Sequence, residues 1–595
     1  MKEIIKYFEK REKFFFIMVA FLSTAQIWLD LAIPQYMNQI TTLLNSGADD
    51  INSLSGAGIA MLVCAFVSVI VAGILGYFSA RIGAGIACRL REAVFHKTLS
   101  FSLEELKDYP TASLITRCTN DITRIQSTFT SAPPILFRAP VTAILAIMQM
   151  GFVNMAWTID TTVLVFIMIV VCIWIMKKMR PWIFRMQSRT DDLNRVTREH
   201  LTGLKVIHAF GSYDYQMKRA QKVNDELGDA IDKGQAYYAL VSPFLTAVSS
   251  ILSVSIYIIG AYLILHSDMP SRIGLFSDMV MFSSYVMLVV AAFSQIAVVY
   301  TSIANTTASV DRVTEVLLTD IRITDGKESE AGSESEDGSI EFRNVNFKYS
   351  EKGGRALKDL NFRIDKGQTV AIVGATGCGK TSVLNLIPRL YEATEGEVFV
   401  GGRNVKDYKL KDLRGMIGYV PQRSILFSGT IAQNVDYGDN GRFRATLKEI
   451  KDACEVGQAK EFIEKKEGDY NARVSRDGSN FSGGQKQRLS ISRAICRDPK
   501  IYLFDDSFSA LDFQTDKRLR AALRKTAQGA TVVIVAQRIG TIRGADKILV
   551  MDQGAIVGEG THEELLRSCQ VYKEIALSQL SGEEVSALET ASSMA

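Results

Sequence analysis

The chain has 595 residues, long enough for several domains. Its hydrophobic fraction is 47% and its mean hydropathy +0.11, high for a chain in which 22% of residues are charged, so a very apolar half is joined to an ordinary one. The net charge of +4 is small for this length and gives no case for nucleic-acid binding, and the eight cysteines show neither a CxxC pair nor a Cys/His cluster at metal spacing.

The first residues, MKEIIKYFEKREKFFF, are charged and amphipathic and lead into a long apolar run with no small-residue cleavage site after it, the pattern of an uncleaved membrane segment. Six apolar stretches reach the ~20 residues that a helix needs to cross a bilayer. They lie near 14–36, 57–80, 134–156, 159–177, 240–265 and 275–303. Cys64 and Cys172 fall inside apolar runs and are expected as buried free thiols.

The loops orient these spans. The segment 37–56 has no Lys or Arg but holds Asp49 and Asp50, and NMAWTID after the third span has no basic residue. The connections 81–133 (Arg81, Arg89, Arg91, Lys97) and 177–238 (Lys177, Lys178, Arg180, Arg185) are rich in them. Positive-inside bias therefore places both long connections and both termini in the cytoplasm of a multi-pass protein of the cell membrane. The connections are helical in pattern, so the span helices are expected to continue out of the lipid bilayer. Polar groups within spans are costly and often functional. Gln26, Asp30, Gln149 and Gln295 either face a substrate or bond between helices, with the outer headgroups a further destination for Asp30. Arg138, near the inner end of the third span, is expected to snorkel.

Composition flips near residue 325. DGKESEAGSESEDGS (325–339) is acidic, Ser/Gly-rich and without an apolar period, which reads as a flexible linker. Beyond it, alternating strand-like and helix-like segments predict an α/β domain with a largely parallel sheet. The expected fold is an all-α six-helix transmembrane domain (1–320), an acidic linker (321–339), an α/β P-loop ATPase domain (340–580) and a tail (581–595).

In that second half the strand TVAIVG runs into GATGCGKTS (374–382), which matches GxxxxGK[ST] in the strand–loop–helix context it requires. Gly374, Ala375, Thr376, Gly377, Cys378 and Gly379 form a loop whose backbone N–H groups can curl round phosphate oxygens, and the helix that follows adds its positive end. Lys380 supplies a point charge to the outer phosphates of ATP, and Thr381, followed by Ser382, a hydroxyl for Mg²⁺. Cys378 is either a tolerated small residue or a redox-sensitive thiol. Downstream, KIYLFDD is an apolar strand ending in carboxylates, where open α/β sheets place their ligands. Asp505 is the expected magnesium carboxylate and Asp506 stands at the position of the base that activates water.

Between these elements lies NFSGGQKQR (480–488), which resembles the signature motif of ABC transporters. Six spans joined to a C-terminal ATPase resemble an exporter-type half-transporter over essentially the whole chain. The resemblance implies a second half-transporter as partner, with the signature of each ATPase capping the ATP held by the other. Ser482, Gly483, Gly484 and Gln485 carry over directly, and Phe481 stands where leucine is usual. It also implies that Tyr349 stacks on adenine, that Gln422 senses Mg²⁺ and that Asp512 touches the partner. LITRCTNDI (114–122) and HAFGSYDY (208–215) resemble the two coupling helices that relay ATPase motion to the spans, and ANTTASVDRVTEVL (304–317) resembles the exit from the sixth span.

Two positions depart from the family pattern. Asp506 replaces the catalytic glutamate with an acid one methylene shorter, and Gln537 replaces the histidine that contacts the γ-phosphate. Glutamine donates a hydrogen bond but cannot become cationic. Both changes fall on the site built on this chain's own phosphate loop, while its signature is nearly intact. That asymmetry resembles heterodimeric exporters with one hydrolysis-poor and one competent site. Aromatic and Met-rich spans with few charges suit hydrophobic or amphipathic small molecules of a multidrug kind. The alternatives are a slow homodimeric exporter of lipid or peptide, and a non-transporting subunit that senses nucleotide.

Overall fold

A computed structural model of the chain describes residues 2–45, 51–329, 337–438 and 444–579. Asp49 and Asp50, the middle of the acidic segment and the tail 581–595 therefore lie outside the described residues. The chain forms two compact units. One comprises Met1–Ser100 with Tyr109–Thr319, the other Phe101–Asp108 with Asp320–Ala595.

The first unit is helical. Among the described residues, six helices are long and apolar enough to cross a membrane: α1 (Lys10–Leu44), α2 (Ile51–Leu99), α3 (Thr111–Gly151), α4 (Met155–Thr202), α5 (Tyr213–Leu265) and α6 (Ser271–Leu318). Five of them run well past the apolar stretches; for α2, α3, α4 and α5 the helical pattern of the connections predicted it. Their outer faces carry large exposed apolar side chains such as Phe21, Leu62, Phe66 and Val69. In water such a surface would drive association, so it needs lipid tails as solvent. Their inner faces pack Ile27, Leu31, Trp157, Leu252, Phe282 and Tyr285 into one apolar core. Cys64 and Cys172 are free but only half-buried, because both face partly outward on these helices.

Of the charged and amide residues singled out in the spans, Asp30 and Arg138 have found partners. Arg138 does not snorkel: it pairs with Asp30 at 3.1 Å, and the Ser68 hydroxyl donates to the same carboxylate at 2.7 Å. An unpaired charge in a span costs more than the pair, which explains the inward turn. Gln149 keeps Oε1 buried without a hydrogen-bond partner, Gln26 is half-buried and Gln295 is exposed.

The expected coupling segment 114–122 is not separate from the spans. It belongs to α3, where Arg117–Asp121 forms one turn of π-helix inside the first unit. The segment that leaves the helical unit is instead Phe101–Asp108, which lies between α2 and α3 and groups with the second unit. Its buried Glu105 accepts from the backbone N–H of Ser102 and of Arg322.

The second unit is built on a six-stranded sheet. The strands used below are β1 (Ile340–Phe347), β2 (Leu357–Ile364), β3 (Thr369–Gly374), β4 (Glu395–Val400), β5 (Arg403–Asn404), β6 (Ile417–Val420), β7 (Ile501–Asp505), β8 (Thr531–Val535), β9 (Lys547–Asp552) and β10 (Ala555–Gly560). The main sheet has the order β10-β9-β3-β8-β7-β6, parallel except for β10. A smaller antiparallel sheet has the order β2-β1-β4-β5. β7 and β8 are buried along their whole length, as their unbroken apolar runs require of strands covered on both faces.

The acidic segment is not free throughout. Gly326 and Glu328 donate to the carbonyls of Tyr408 and Asp407, Lys409 donates back to Glu328, and Arg389 bonds the Thr324 carbonyl. Residues 324–328 thus lie against the ATPase unit, because backbone partners outweigh the composition of so short a stretch.

Candidate nucleotide site

Four neighbouring strands end on the same edge of the sheet, and each delivers one part of the site. β3 runs into the phosphate loop, β8 ends two residues before Gln537, β7 ends in Asp505 and Asp506, and β6 ends two residues before Gln422. Parallel pairing makes this happen: it aligns the carboxyl ends of strands that are far apart in sequence. The resulting cleft has a volume of about 310 Å³ and is lined by Tyr349, Ala356, Thr376–Ser382 without Cys378, Gln422, Asp505, Asp506, Val535 and Gln537.

The loop geometry demands its glycines. Gly377 and Gly379 have φ of +86° and +106°, and a Cβ on Gly379 would stand 2.8 Å from Leu357 and 2.9 Å from the Ala356 carbonyl. Gly374 meets the Met551 carbonyl so closely that any side chain would displace β9. The Lys380 ammonium donates to the carbonyls of Gly374 and Ala375 at 2.8 Å, so it is held over the loop where phosphate oxygens would lie. Cys378 is buried, with its sulfur 3.8 Å from that ammonium.

Thr381 donates to Asp505 at 3.0 Å. Asp505 is 3% exposed, and burial pushes its carboxyl above the ordinary aspartate range; the bond from Thr381 and the charge of Lys380 only partly offset burial and the neighbouring Asp506. A buried carboxylate beside a hydroxyl is a hard-oxygen donor set that suits Mg²⁺. Among the described residues no group of three or more His, Cys, Asp or Glu side chains forms an all-protein metal cage. Bound at Asp505 and Thr381, Mg²⁺ would neutralise charge on the β- and γ-phosphates.

Asp506 is half-buried, adopts φ +45° and is anchored by its N–H to the Val535 carbonyl at 3.0 Å. Its Oδ2 accepts from Gln537 at 3.1 Å and from Gln422 at 3.4 Å. The two departures from the family pattern therefore touch one another. Burial pushes the Asp506 carboxyl up, with the Gln422 bond and Lys380 opposing.

Tyr349 is half-buried, edge-on to Phe347 and Tyr391, and its hydroxyl shares a 2.7 Å hydrogen bond with Ser382. The Lys107 ammonium lies 4.1 Å from the centre of its ring. Sequence reading missed Lys107, since nothing in a local pattern links positions so far apart.

The signature lies elsewhere on the unit. Ser482 caps the helix α7 (Gly483–Cys496), accepting from the Gln485 N–H at 3.3 Å, while Gln485 Oε1 accepts from the Ser482 N–H at 3.0 Å. Gly483 and Gly484 form the first turn, so free N–H groups and the positive helix end project outward. Phe481 is buried against Phe462, which fills the usual leucine volume. Asp512 caps the helix α8 (Phe513–Thr526) through Thr515 at 2.9 Å, and that backbone bond holds its carboxyl below the ordinary range.

Comparison with known proteins agrees with this arrangement. The ABC transporter transmembrane region family matches residues 16–307 and the ABC transporter family matches residues 357–509. An ABC transporter ATP-binding protein of Mycobacterium bovis is 36% identical over 503 residues, covering 84% of this chain and 85% of that one. An ATP-dependent lipid A-core flippase of Aromatoleum aromaticum is 30% identical over 510 residues, covering 84% and 82%. A bacterial Atm1-family ABC exporter solved with ATP bound superposes with a TM-score of 0.78 at 23% identity, over 95% of this chain and 98% of that one. With six apolar helices followed by an ATPase of this build, the chain belongs to the ABC transporter family as a half-transporter with the exporter fold.

Proposed function

We propose that this chain is the nucleotide-holding half of an unequal, heterodimeric ATP-driven exporter. The observation that carries the reading is the bond from Gln537 to Asp506. Asp506 is one methylene short of the usual base, and one oxygen of its carboxylate, Oδ2, is engaged by two glutamine amides. General-base help is worth about 10²–10⁴-fold and depends on hydrogen-bond reach to the attacking water. This site therefore binds Mg²⁺-ATP and turns it over slowly, while Ser482–Gln485 completes a competent site on a partner bearing Glu and His. ATP binding closes the two ATPase units, the spans open outward, and hydrolysis at the partner's site resets the pair. The cargo is a hydrophobic or amphipathic compound.

The test is to purify the chain alone and with the half-transporter that co-purifies from native membranes. The pair should hydrolyse ATP at a normal exporter rate and the single chain at least about tenfold more slowly. Normal turnover by the chain alone would refute the reading. The relative named as a lipid A-core flippase favours a second one, a homodimer that moves lipid. Co-purification of no second half-transporter would support it.

A further inference from the structure

The N-terminal part of α3 and the C-terminal parts of α4 and α6 enclose a second cleft, about 910 Å³ in volume, within the helical unit. Four arginines line it, Arg117, Arg124, Arg198 and Arg312, against two aspartates, Asp121 and Asp191. Most other lining groups are hydroxyls and amides. Two of the arginines are committed to the protein. Arg312 donates to the buried Asp121 at 2.8 Å, and Arg117 pairs with Glu315 at 2.8 Å and bonds the Arg312 carbonyl. Arg124 and Arg198 are exposed to the cleft, and among the described residues neither makes an ion pair.

The same helix joins this cleft to an apolar one. Met287, Val290, Ala291 and Ser294 of α6 line a space of about 710 Å³ against Val241, Leu245 and Val254 of α5. At 100° per residue those four positions fall on the same side of α6 as Ser302, Thr306, Ala308 and Arg312 of the arginine cleft. Ser294 and Ser302 are separated by ~12 Å along the axis, within the span of a medium alkyl chain.

We propose that this continuous face binds an amphipathic anion, its phosphate or carboxylate head received by Arg124 and Arg198 and its apolar body lying along α6. Guanidinium groups match such heads with paired, charge-assisted hydrogen bonds. A cationic head would find only Asp191, because Asp121 is already taken by Arg312 and Ser309. The π-turn Arg117–Asp121 helps to hold the committed charges in place and leaves Arg124 facing the cleft. The assignment rests on the exporter reading and narrows its cargo to one charge class.

The experiment is a calorimetric titration of the assembled transporter, without nucleotide, in nanodiscs of zwitterionic phosphatidylcholine, with empty nanodiscs as blank. The probes are octyl phosphate, octyltrimethylammonium and inorganic phosphate. Octyl phosphate should bind at least about tenfold more tightly than either of the others. The double variant R124Q/R198Q should lose about tenfold of that affinity and keep its ATP affinity, which also reports that it is folded. Equal binding of the cation, or an unchanged double variant, overturns the proposal. Inorganic phosphate binding as tightly as octyl phosphate overturns the amphiphile and leaves a small-anion site. Because no ATP is hydrolysed, the result stands whether or not the unequal-pair reading survives.

Discussion

Gln537 donates from Nε2 to Asp506 Oδ2 at 3.1 Å, so the two residues that depart from the family pattern act on each other directly. Residues that share a hydrogen bond are not independent, and their substitutions should not add. Asp506→Glu alone would lengthen the acid but leave the amide on it. Gln537→His alone would leave the acid short. We expect each single variant to change single-turnover phosphate release at this site by less than about tenfold, and the double variant D506E/Q537H to raise it by about 10²-fold or more. Labelled-nucleotide trapping in a complex whose partner site is disabled measures this; additive effects would disprove the coupling.

Asp505 is expected to govern both metal binding and the pH response. Its carboxyl is raised by burial, so the folded protein holds that proton more tightly than the unfolded chain does. The stability it contributes is present below the ordinary aspartate range and is lost as pH rises through the raised value. Once this carboxyl is ionised, the nucleotide-free protein carries a buried charge there that the Thr381 bond and Lys380 only partly offset. Asp505→Asn keeps the acceptor for Thr381 and removes that charge. It should raise the nucleotide-free melting temperature at pH 7 while lowering Mg²⁺-dependent ATP affinity by roughly tenfold or more. In the native protein, that affinity should begin to fall on acidification at a higher pH than an ordinary aspartate requires.

Within the helical unit, Asp30 and Arg138 should be destabilising to remove singly and nearly neutral to remove together. Either single alanine variant leaves an unpaired charge in a span, at about 2–3 kcal/mol. The D30A/R138A double variant should recover most of that, read as thermal stability in detergent. If the double variant is as unstable as the sum of the singles, the ion pair is not what holds these residues inward.

Ser482 has two duties that can be separated. It caps α7, a contribution of about 1 kcal/mol, and it stands at the end of that helix that would meet the partner's nucleotide. Ser482→Asp keeps the capping acceptor but sets a negative charge where phosphate would lie. It should leave thermal stability unchanged, leave ATP binding at this chain's own loop unchanged, and lower turnover of the complex by at least about 10²-fold. Loss of binding at the chain's own loop would contradict the assignment of the signature to the partner site.

The legible parts of this protein were those whose physics is local. The six spans, the helical continuations and the phosphate loop each follow from runs of adjacent residues: apolar length, helical period, or glycines before a lysine. The strand KIYLFDD read correctly as a buried strand ending at the site, because unbroken apolar runs are stable only when both faces are covered. Arg138 was misread because snorkelling depends on what a neighbouring helix offers, and Asp30 lies 108 positions away. The segment 114–122 was misplaced for a related reason. Its motif resembles a coupling helix, yet the segment lies within α3, with Asp121 buried on Arg312 and Ser309 of α6.

The sequence by itself determined the family, the order of the two units and most of the residues that line the cleft at the phosphate loop, since motifs and hydropathy are properties of neighbours along the chain. Only the tertiary structure decided that Gln422, Asp506 and Gln537 converge on one carboxylate, that Lys107 lies over Tyr349, and that Arg124 and Arg198 line one cleft. Those relationships arise from parallel strand register and helix packing, which bring together positions that no sequence period connects.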